Sequence, residues 1–258
     1  MPFVELGDLQ TYYELADEGR AVLVLSNSLG TNLSMWDPQM PQLKQRFRVL
    51  RYDTRGHGRS SVTPGDYTIE QLGRDVVALL DVLELKRVHF CGLSMGGMIG
   101  MWLGVHAAER IDRLILCNTA ARIGTKESWN ARIATVRTQG MNAVAAAVME
   151  RWFTPEFRAM RPQRIAQAQQ MLENSSPEGY AANCAAIRDM DQREDVARIT
   201  AATLIVCGAK DPVTPPADAH FLISRIRGAE IVELDAAHLS NVEQAEAFTD
   251  ATSTFLSR

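Results

Sequence analysis

Short apolar runs alternate with stretches of helical spacing along most of the chain. The runs are rich in β-branched residues and apolar throughout, which is typical of parallel strands covered on both faces. Between them lie segments with apolar residues at helical intervals, as in 69–83 and 241–256. This alternation predicts an α/β protein with a doubly wound, mostly parallel sheet. The predicted strands are 21–25, 49–52, 88–91, 114–117, 203–207 and 230–234.

Two stretches depart from this alternation. Residues 3–15 alternate between apolar and polar around a Gly-Asp pair, which predicts an N-terminal antiparallel hairpin at the sheet edge. Residues 121–191 have no strand pattern, but contain several helix-like segments separated by glycine, proline and serine. Because strands resume after this stretch, we predict that 121–191 form a helical cap over one core made of 1–120 and 192–258.

Composition and charge narrow the function classes. Hydrophobic residues make up 46% and charged residues 22%, as in ordinary folded proteins, and the net charge is −4. Without a basic patch, nucleic-acid binding is not expected. The most apolar stretch, 95–107, is too short for a membrane span, and the acidic N-terminal residues do not resemble an export signal. The four cysteines are far apart, so we expect a cytoplasmic protein without disulfides or structural zinc.

The run from Gly92 to Gly96 matches the pattern G-x-S-x-G, in which a serine lies on a sharp turn between a strand and a helix. The glycines two positions before and after Ser94 permit the close approach of strand and helix that this turn requires. A predicted strand enters the motif, and an apolar helix beginning at Met95 leaves it. We therefore predict that Ser94 is an activated nucleophile.

A serine nucleophile needs a neighbouring base, most often a histidine oriented by a carboxylate. Among the five histidines, His238 follows the final predicted strand and precedes the last helix, where the ligand crevice of an open sheet forms. Asp211 follows the preceding strand, so the chain order Ser94, Asp211, His238 agrees with the motif. The alternative acid is Asp235, only three residues before the histidine.

Hydrolysis by such a serine also requires two backbone N–H groups aimed at the charge that develops on the substrate oxygen. We expect Met95, the residue after the nucleophile, to supply one of them. The second is expected from Leu29, in the loop that follows the strand at 21–25. The other interpretation of that loop is a plain turn without contact to a substrate.

With these residues in this order, the whole chain resembles the α/β-hydrolase family, including the run from Asp53 to Ser60, which is mostly architectural there. Many members carry a His-Gly pair before the oxyanion donor, where this chain has Asn27 and Ser28; Leu29 remains the predicted donor because its backbone supplies the N–H. Within the family, the chain resembles the 3-oxoadipate enol-lactonases of bacterial aromatic catabolism. The stretches that carry this resemblance are 26–31, 35–37, 92–97 and 151–157.

The resemblance implies a small anionic substrate, a five-membered enol lactone with a side-chain carboxylate that water opens to 3-oxoadipate. In a protein of net charge −4, such a substrate needs a local cation, for which the planar fork of arginine is well suited. Trp129 and Arg132 lie three apart on the first cap helix and are candidates for stacking and carboxylate binding. A core contact and a solvated charge are the alternative. Trp152 either lines the pocket or anchors two cap helices.

Other functions would use the same nucleophile, acid and base. A general carboxylesterase, a cofactor-free perhydrolase or a carbon–carbon bond hydrolase would share the fold, whereas Ser94 excludes the dehalogenases that use an aspartate nucleophile. A non-catalytic sensor on the same fold is the alternative from another class, and the complete set of three residues argues against it. The chain has neither a zinc-binding motif nor a nucleotide-binding motif, so we expect no metal and no cofactor.

Overall fold

One mixed sheet organises the part of the chain that the structure, a computed structural model, describes: residues 3–16 and 21–258. Its strands are β1 (Phe3–Leu6), β2 (Leu9–Leu15), β3 (Val22–Ser26), β4 (Arg48–Tyr52), β5 (Val88–Leu93), β6 (Ile111–Cys117), β7 (Ala202–Gly208) and β8 (Glu230–Leu234). Their order in the sheet is β1-β2-β4-β3-β5-β6-β7-β8. β2 pairs antiparallel with β1 and β4, and the other neighbours pair in parallel. The predicted α/β fold with its antiparallel hairpin is confirmed.

Helices connect most of the strands. They are α1 (Met40–Leu43), α2 (Ile69–Val82), α3 (Met95–His106), α4 (Lys126–Gln139), α5 (Asn142–Trp152), α6 (Pro155–Met160), α7 (Pro162–Glu173), α8 (Pro177–Asp189), α9 (Pro216–Arg225), α10 (Ser240–Glu243) and α11 (Ala245–Leu256). Short 3-10 helices lie at Leu33–Trp36, Ala108–Arg110 and Asp195–Arg198. Within the described ranges, none of the helices has both the length and the apolar character needed to cross a membrane.

The centre of the sheet is apolar because it is covered. β5 is buried along its whole length, and the adjoining strands β3 and β6 are buried over most of theirs. The helix α3 packs on β5 and β6 and is itself buried over most of its length. The turn between β5 and α3 is therefore fixed from below by the core, at the edge of the sheet where the parallel strands end.

The predicted helix over 241–256 is divided in the structure. α10 ends at Glu243 and α11 begins at Ala245, because the backbone of Gln244 leaves the helical region (φ −120°, ψ 51°). The side-chain amide of Gln244 donates a hydrogen bond through Nε2 to the backbone carbonyl oxygen of Asp235 (2.9 Å). Periodicity alone could not locate this break, since the apolar positions on both sides keep helical spacing.

The helices α4–α8 occupy residues 126–189, between β6 and β7. α8 lies against the core so closely that a Cβ on Gly179 would come within 2.1 Å of the carbonyl oxygen of Gly56. Its Ala182 carbonyl accepts a hydrogen bond from the Tyr67 N–H (3.2 Å). The sequence predicted helices without strands here, and the division into a core and a cap at 121–191 stays a prediction.

Candidate active site

Ser94 lies on a strained turn between β5 and α3. Its backbone has φ 57° and ψ −113°, which residues other than glycine rarely adopt, and its N–H donates to the carbonyl oxygen of Cys117 (2.8 Å). The turn is closed tightly, because a Cβ on Gly92 would lie 2.1 Å from the carbonyl oxygen of Gly96. A Cβ on Gly96 would in turn lie 2.2 Å from the carbonyl oxygen of Ser26. The structure thus presents the serine as the sequence motif requires.

His238 and Asp211 lie together at the carboxyl ends of β8 and β7. The His238 Nδ1 atom is 2.8 Å from Asp211 Oδ2, and both side chains are buried. Because the carboxylate holds Nδ1, the proton of a neutral imidazole resides there and Nε2 is left as the acceptor. Such a ring can take a proton from a hydroxyl group.

Asp211 is held in its charged form. Burial acts to raise the pKa of its carboxyl, but the charge of His238 and hydrogen bonds from His238, Asn118 and Thr214 lower the pKa to about 2. The backbone N–H groups of Val213 (2.7 Å) and Thr214 (3.1 Å) donate to the other oxygen, Oδ1. The alternative acid, Asp235, is 73% exposed and pairs with Lys210 (2.9 Å).

A cavity of about 240 Å³ brings the predicted residues together. Ser94 and His238 share its wall with Leu29 and with the three residues predicted from the cap, Trp129, Arg132 and Trp152. Asp211 and Met95 are buried and are not part of the lining. The remaining lining residues are Ser28, Met98, Ile123, Gly124, Ser128, Val148, Arg151, Tyr180, Ile187, Pro212 and Val213.

The loop that carries Leu29 is fixed by hydrogen bonds on both sides of that residue. The N–H of Ser28 points to the sulfur of Met35 (3.3 Å), and the N–H of Gly30 donates to Nε2 of His57 (2.8 Å). Within the described part of the chain, the N–H groups of Leu29 and Met95 donate to no protein acceptor. Two unpartnered backbone N–H groups are what an oxyanion would use.

Arg55 and His57 belong to the run that the resemblance marks as architectural, and His57 contacts this loop through Gly30. Arg55 pairs with Asp75 (2.7 Å) and Asp8 (3.0 Å). Burial lowers the pKa of His57 to about 4, so its ring is neutral and its Nε2 can accept from Gly30. Neither residue lines the cavity.

Trp129 and Arg132 contact each other and line the cavity. The guanidinium of Arg132 lies 5.3 Å from the centre of the Trp129 ring, and its Nη1 is 3.5 Å from the Tyr180 hydroxyl. The Trp129 indole donates to the carbonyl oxygen of Ile123 (2.9 Å), which fixes its ring. Trp152 is 5% exposed and lines the same wall, so both interpretations of it, pocket wall and helix anchor, fit its position.

Arg151 is a cavity residue that the sequence analysis missed. Its Nε donates to the carbonyl oxygen of Ala147 (3.0 Å), and burial together with the charge of Arg132 lowers the pKa of its guanidinium. Among the described residues, neither arginine forms an ion pair. The available signal is its position beside Trp152 in the stretch 151–157, which supports the resemblance. The cavity thus contains two guanidinium groups that form no ion pair with a carboxylate of the described residues.

Comparison with known proteins agrees with this geometry. A family model described as the alpha/beta hydrolase fold matches residues 21–245. The chain is 44% identical to 3-oxoadipate enol-lactonase 2 of Acinetobacter baylyi, over 96% of this chain and 92% of the relative. It is 41% identical to 3-oxoadipate enol-lactonase 1 of the same organism, over 93% and 90%. The crystal structure of the enol-lactonase from Burkholderia xenovorans LB400 matches with a TM-score of 0.98 at 46% identity, over 100% of both chains.

Proposed function

The chain belongs to the α/β-hydrolase fold family, and we propose that it opens 3-oxoadipate enol-lactone with water through an acyl-enzyme on Ser94. The predicted family and the predicted class of enzyme, a hydrolase of esters and enol lactones, are confirmed. The observation that carries the specific substrate is the shared cavity, which Ser94 and His238 line together with two guanidinium groups that have no ion-pair partner among residues 3–16 and 21–258. We assign the reaction to bacterial catabolism of aromatic compounds, the setting of the enol-lactonases that the chain resembles.

The first step of the proposed reaction is attack on the lactone carbonyl. The Ser94 oxygen bonds to the carbonyl carbon while His238 Nε2 takes the hydroxyl proton. The carbonyl electrons move to its oxygen, and the N–H groups of Leu29 and Met95 stabilise that negative charge. Asp211 remains ionised throughout and stabilises the imidazolium ion that forms.

Collapse of this intermediate breaks the ring. The electrons return to re-form the carbonyl, the ring C–O bond breaks, and the enol oxygen leaves with the proton that His238 carries. An enolate is a good leaving group because its charge is delocalised, and the released enol converts to the ketone. The product at this stage is a linear acyl chain on Ser94.

Water then releases the product. His238 removes a proton from a water molecule that attacks the acyl carbonyl, and the same N–H groups hold the second oxyanion. His238 returns its proton to the Ser94 oxygen as the ester bond breaks. The serine hydroxyl is restored, and the new carboxylic acid loses its proton to water, so 3-oxoadipate leaves with two carboxylates.

The two arginines explain how an anion enters a protein of net charge −4. Arg132 and Arg151 lie on different helices, α4 and α5, and both face the cavity. Their charges attract the side-chain carboxylate of the lactone, and guanidinium groups bind carboxylates through paired hydrogen bonds. The buried ring of Trp129 provides a flat apolar wall for the lactone ring.

Turnover of a small substrate panel tests the proposal. We expect kcat/KM for the enol lactone to exceed that for p-nitrophenyl acetate by at least about 100-fold, and a peracid-forming mixture to react poorly. Ser94→Ala should abolish both hydrolytic activities and remove labelling by a fluorophosphonate probe. Equal turnover of lactone and neutral ester would point to a general esterase, and efficient peracid formation to a perhydrolase. A protein whose Ser94 resists the probe would be the non-catalytic sensor.

A further inference from the structure

We propose that Asn118, the residue after β6, is a positioning residue that holds the acid Asp211 and the loop of the base His238 in one arrangement. The inference rests on the proposed function, because it assumes that these two residues serve Ser94. Asn118 is 1% exposed and does not line the cavity, so it acts on the reaction only through its neighbours.

Both ends of the Asn118 amide are used. Its Nδ2 donates to Asp211 Oδ2 (2.9 Å) and to the carbonyl oxygen of Ala237 (3.2 Å), the residue before His238. Its Oδ1 accepts from the hydroxyl of Ser240 (2.5 Å), two residues after His238. One side chain therefore ties the loop after β7 to both sides of the base in the loop after β8.

The backbone of Asn118 is adapted to this place. It has φ 43°, in the left-handed region that costs most side chains about 1 kcal/mol or more, but which asparagine tolerates better than most. Its N–H donates to the carbonyl oxygen of Val206 (2.8 Å), which extends the pairing of β6 with β7. A strained, buried residue at the ligand edge of the sheet indicates a constraint other than packing.

The amide acts on the oxygen that matters for the base. Asp211 Oδ2 accepts from His238 Nδ1 (2.8 Å), Thr214 Oγ1 (2.7 Å) and Asn118 Nδ2. These donors and the Val213 and Thr214 N–H groups on Oδ1 together set the rotation of the carboxylate about its last bond, and Asn118 is the donor that reaches it from the end of β6. Without Asn118, the carboxylate loses the donor from the neighbouring strand, and the base loop loses its two contacts to that strand.

The main test replaces Asn118 by glycine, which accepts the left-handed backbone and removes the whole side chain with its amide. We expect Asn118→Gly to lower kcat for p-nitrophenyl acetate and for the lactone by about 10- to 100-fold, as loss of hydrogen bonds to a charged group implies. KM should change less than about twofold, because the cavity wall is untouched. Ser240→Ala, which removes one partner of Oδ1 only, should cost less than about 10-fold.

A second variant reports on the contact with Asp211 directly. Asn118→Asp keeps the shape and the preference for this backbone, but places a carboxylate where a donor faced Asp211. Two carboxyl groups at hydrogen-bond distance share one proton, so the new side chain donates to Asp211 Oδ2 at low pH and stops donating once it ionises. The ratio of kcat for Asn118→Asp to kcat for the parent should therefore fall by about 10-fold or more as the pH rises through the raised pKa of the pair. For Asn118→Gly this ratio should not depend on pH. The other titratable groups that act on or respond to Asp211, namely Asp218 and Cys207, are the same in each variant.

Several outcomes would overturn the proposal. Asn118→Gly with kcat within twofold of the parent would overturn it, as would a rise in KM with kcat unchanged. If Asn118→Gly does not fold, the pH profile of Asn118→Asp decides, and a ratio of its kcat to that of the parent that does not change with pH counts against the proposal. Because p-nitrophenyl acetate reports on Ser94 whatever the natural substrate, failure of lactone turnover would refute the proposed function and leave this inference standing.

Discussion

Ser94 and Asn118 both have positive φ and lie at the same edge of the sheet. Of the described residues other than glycine, only these two and Glu84 have positive φ. Each is held by a main-chain hydrogen bond to the next strand, Ser94 to the carbonyl oxygen of Cys117 and Asn118 to that of Val206. The strain is thus supported by the sheet itself, and it fixes a nucleophile on one strand end and a positioning amide on the next.

The pairing of Asp211 with His238 predicts a large loss when the acid is neutralised. Asp211→Asn keeps the size of the side chain but no longer stabilises the imidazolium ion and favours the wrong tautomer, so we expect kcat to fall by about 10⁴-fold. The measurement is steady-state turnover of p-nitrophenyl acetate. Asp235→Asn is the matched control, because Asp235 pairs only with Lys210 at the surface. Near-normal turnover of Asp211→Asn would remove Asp211 from its role.

The two cavity arginines predict a loss that depends on substrate charge. Arg132→Ala and Arg151→Ala should each raise KM for the enol lactone by about 10-fold or more, because each removes a charge-assisted contact to its carboxylate. KM for a neutral ester should change much less. Arg137→Ala is the matched control on the same helix as Arg132, since it pairs with Asp66 outside the cavity. Equal effects on the anionic and neutral substrates would contradict carboxylate binding.

At the scale of elements, α3 and β3 meet without room for a side chain at Gly96. A Cβ there would lie 2.2 Å from the Ser26 carbonyl oxygen, which is backbone and cannot turn away. We expect Gly96→Ala to lower the free energy of unfolding by about 1–3 kcal/mol and to abolish activity, because Ser94 moves with the start of the helix. Urea titration followed by circular dichroism measures the first effect.

Gly104→Ala is the control for this prediction in the same helix. A Cβ at Gly104 meets only side-chain atoms of Ile199 and Leu114, the nearest at 3.2 Å, which can shift by a few tenths of an ångström. Alanine also favours the helix by about 1 kcal/mol relative to glycine. The free energy of unfolding should therefore change by less than about 1 kcal/mol. If both variants were equally stable, the tight contact at Gly96 would have no energetic consequence.

The elements themselves could be predicted because their signals are local. Continuous apolar runs predicted the parallel strands, and the final strand, Glu230–Leu234, has the predicted bounds. The candidate nucleophile, acid and base, Ser94, Asp211 and His238, followed from the same signals, since strand ends in a doubly wound sheet lie at one edge. Arg151 and Asn118 could not be found in this way. Asn118 contacts Asp211 and Ala237, which lie 93 and 119 positions further along the chain. No pattern near Asn118 in the sequence indicates those partners.

At the scale of the whole molecule, the helical segment that lines the cavity is fastened to the base loop. The carbonyl oxygen of Trp152 accepts from the Leu239 N–H (3.0 Å), next to His238. The Glu243 carboxylate bridges the N–H groups of Ala237 (3.0 Å) and Thr154 (3.3 Å). The base and the cavity wall therefore belong to one hydrogen-bonded unit, although they lie about 90 positions apart in sequence. This is the wall that we propose to bind the substrate carboxylate.

His57 makes the stability of the whole molecule depend on pH. Burial lowers the pKa of its ring to about 4, whereas an unfolded histidine titrates near 6.5. As the pH falls below 6.5, His57 becomes protonated in the unfolded chain but stays neutral in the folded protein. The free energy of unfolding therefore decreases until about pH 4. Between pH 7.5 and pH 5 this loss of stability amounts to about 2 kcal/mol.

His57→Gln keeps an acceptor for the Gly30 N–H and cannot titrate. Over the same pH interval, the free energy of unfolding of this variant, measured by urea titration, should therefore fall by about 2 kcal/mol less than that of the parent. His89 also has a lowered pKa from burial, and it contributes equally to both proteins. Parallel pH dependences of parent and variant would mean that the folded protein accommodates a charged His57.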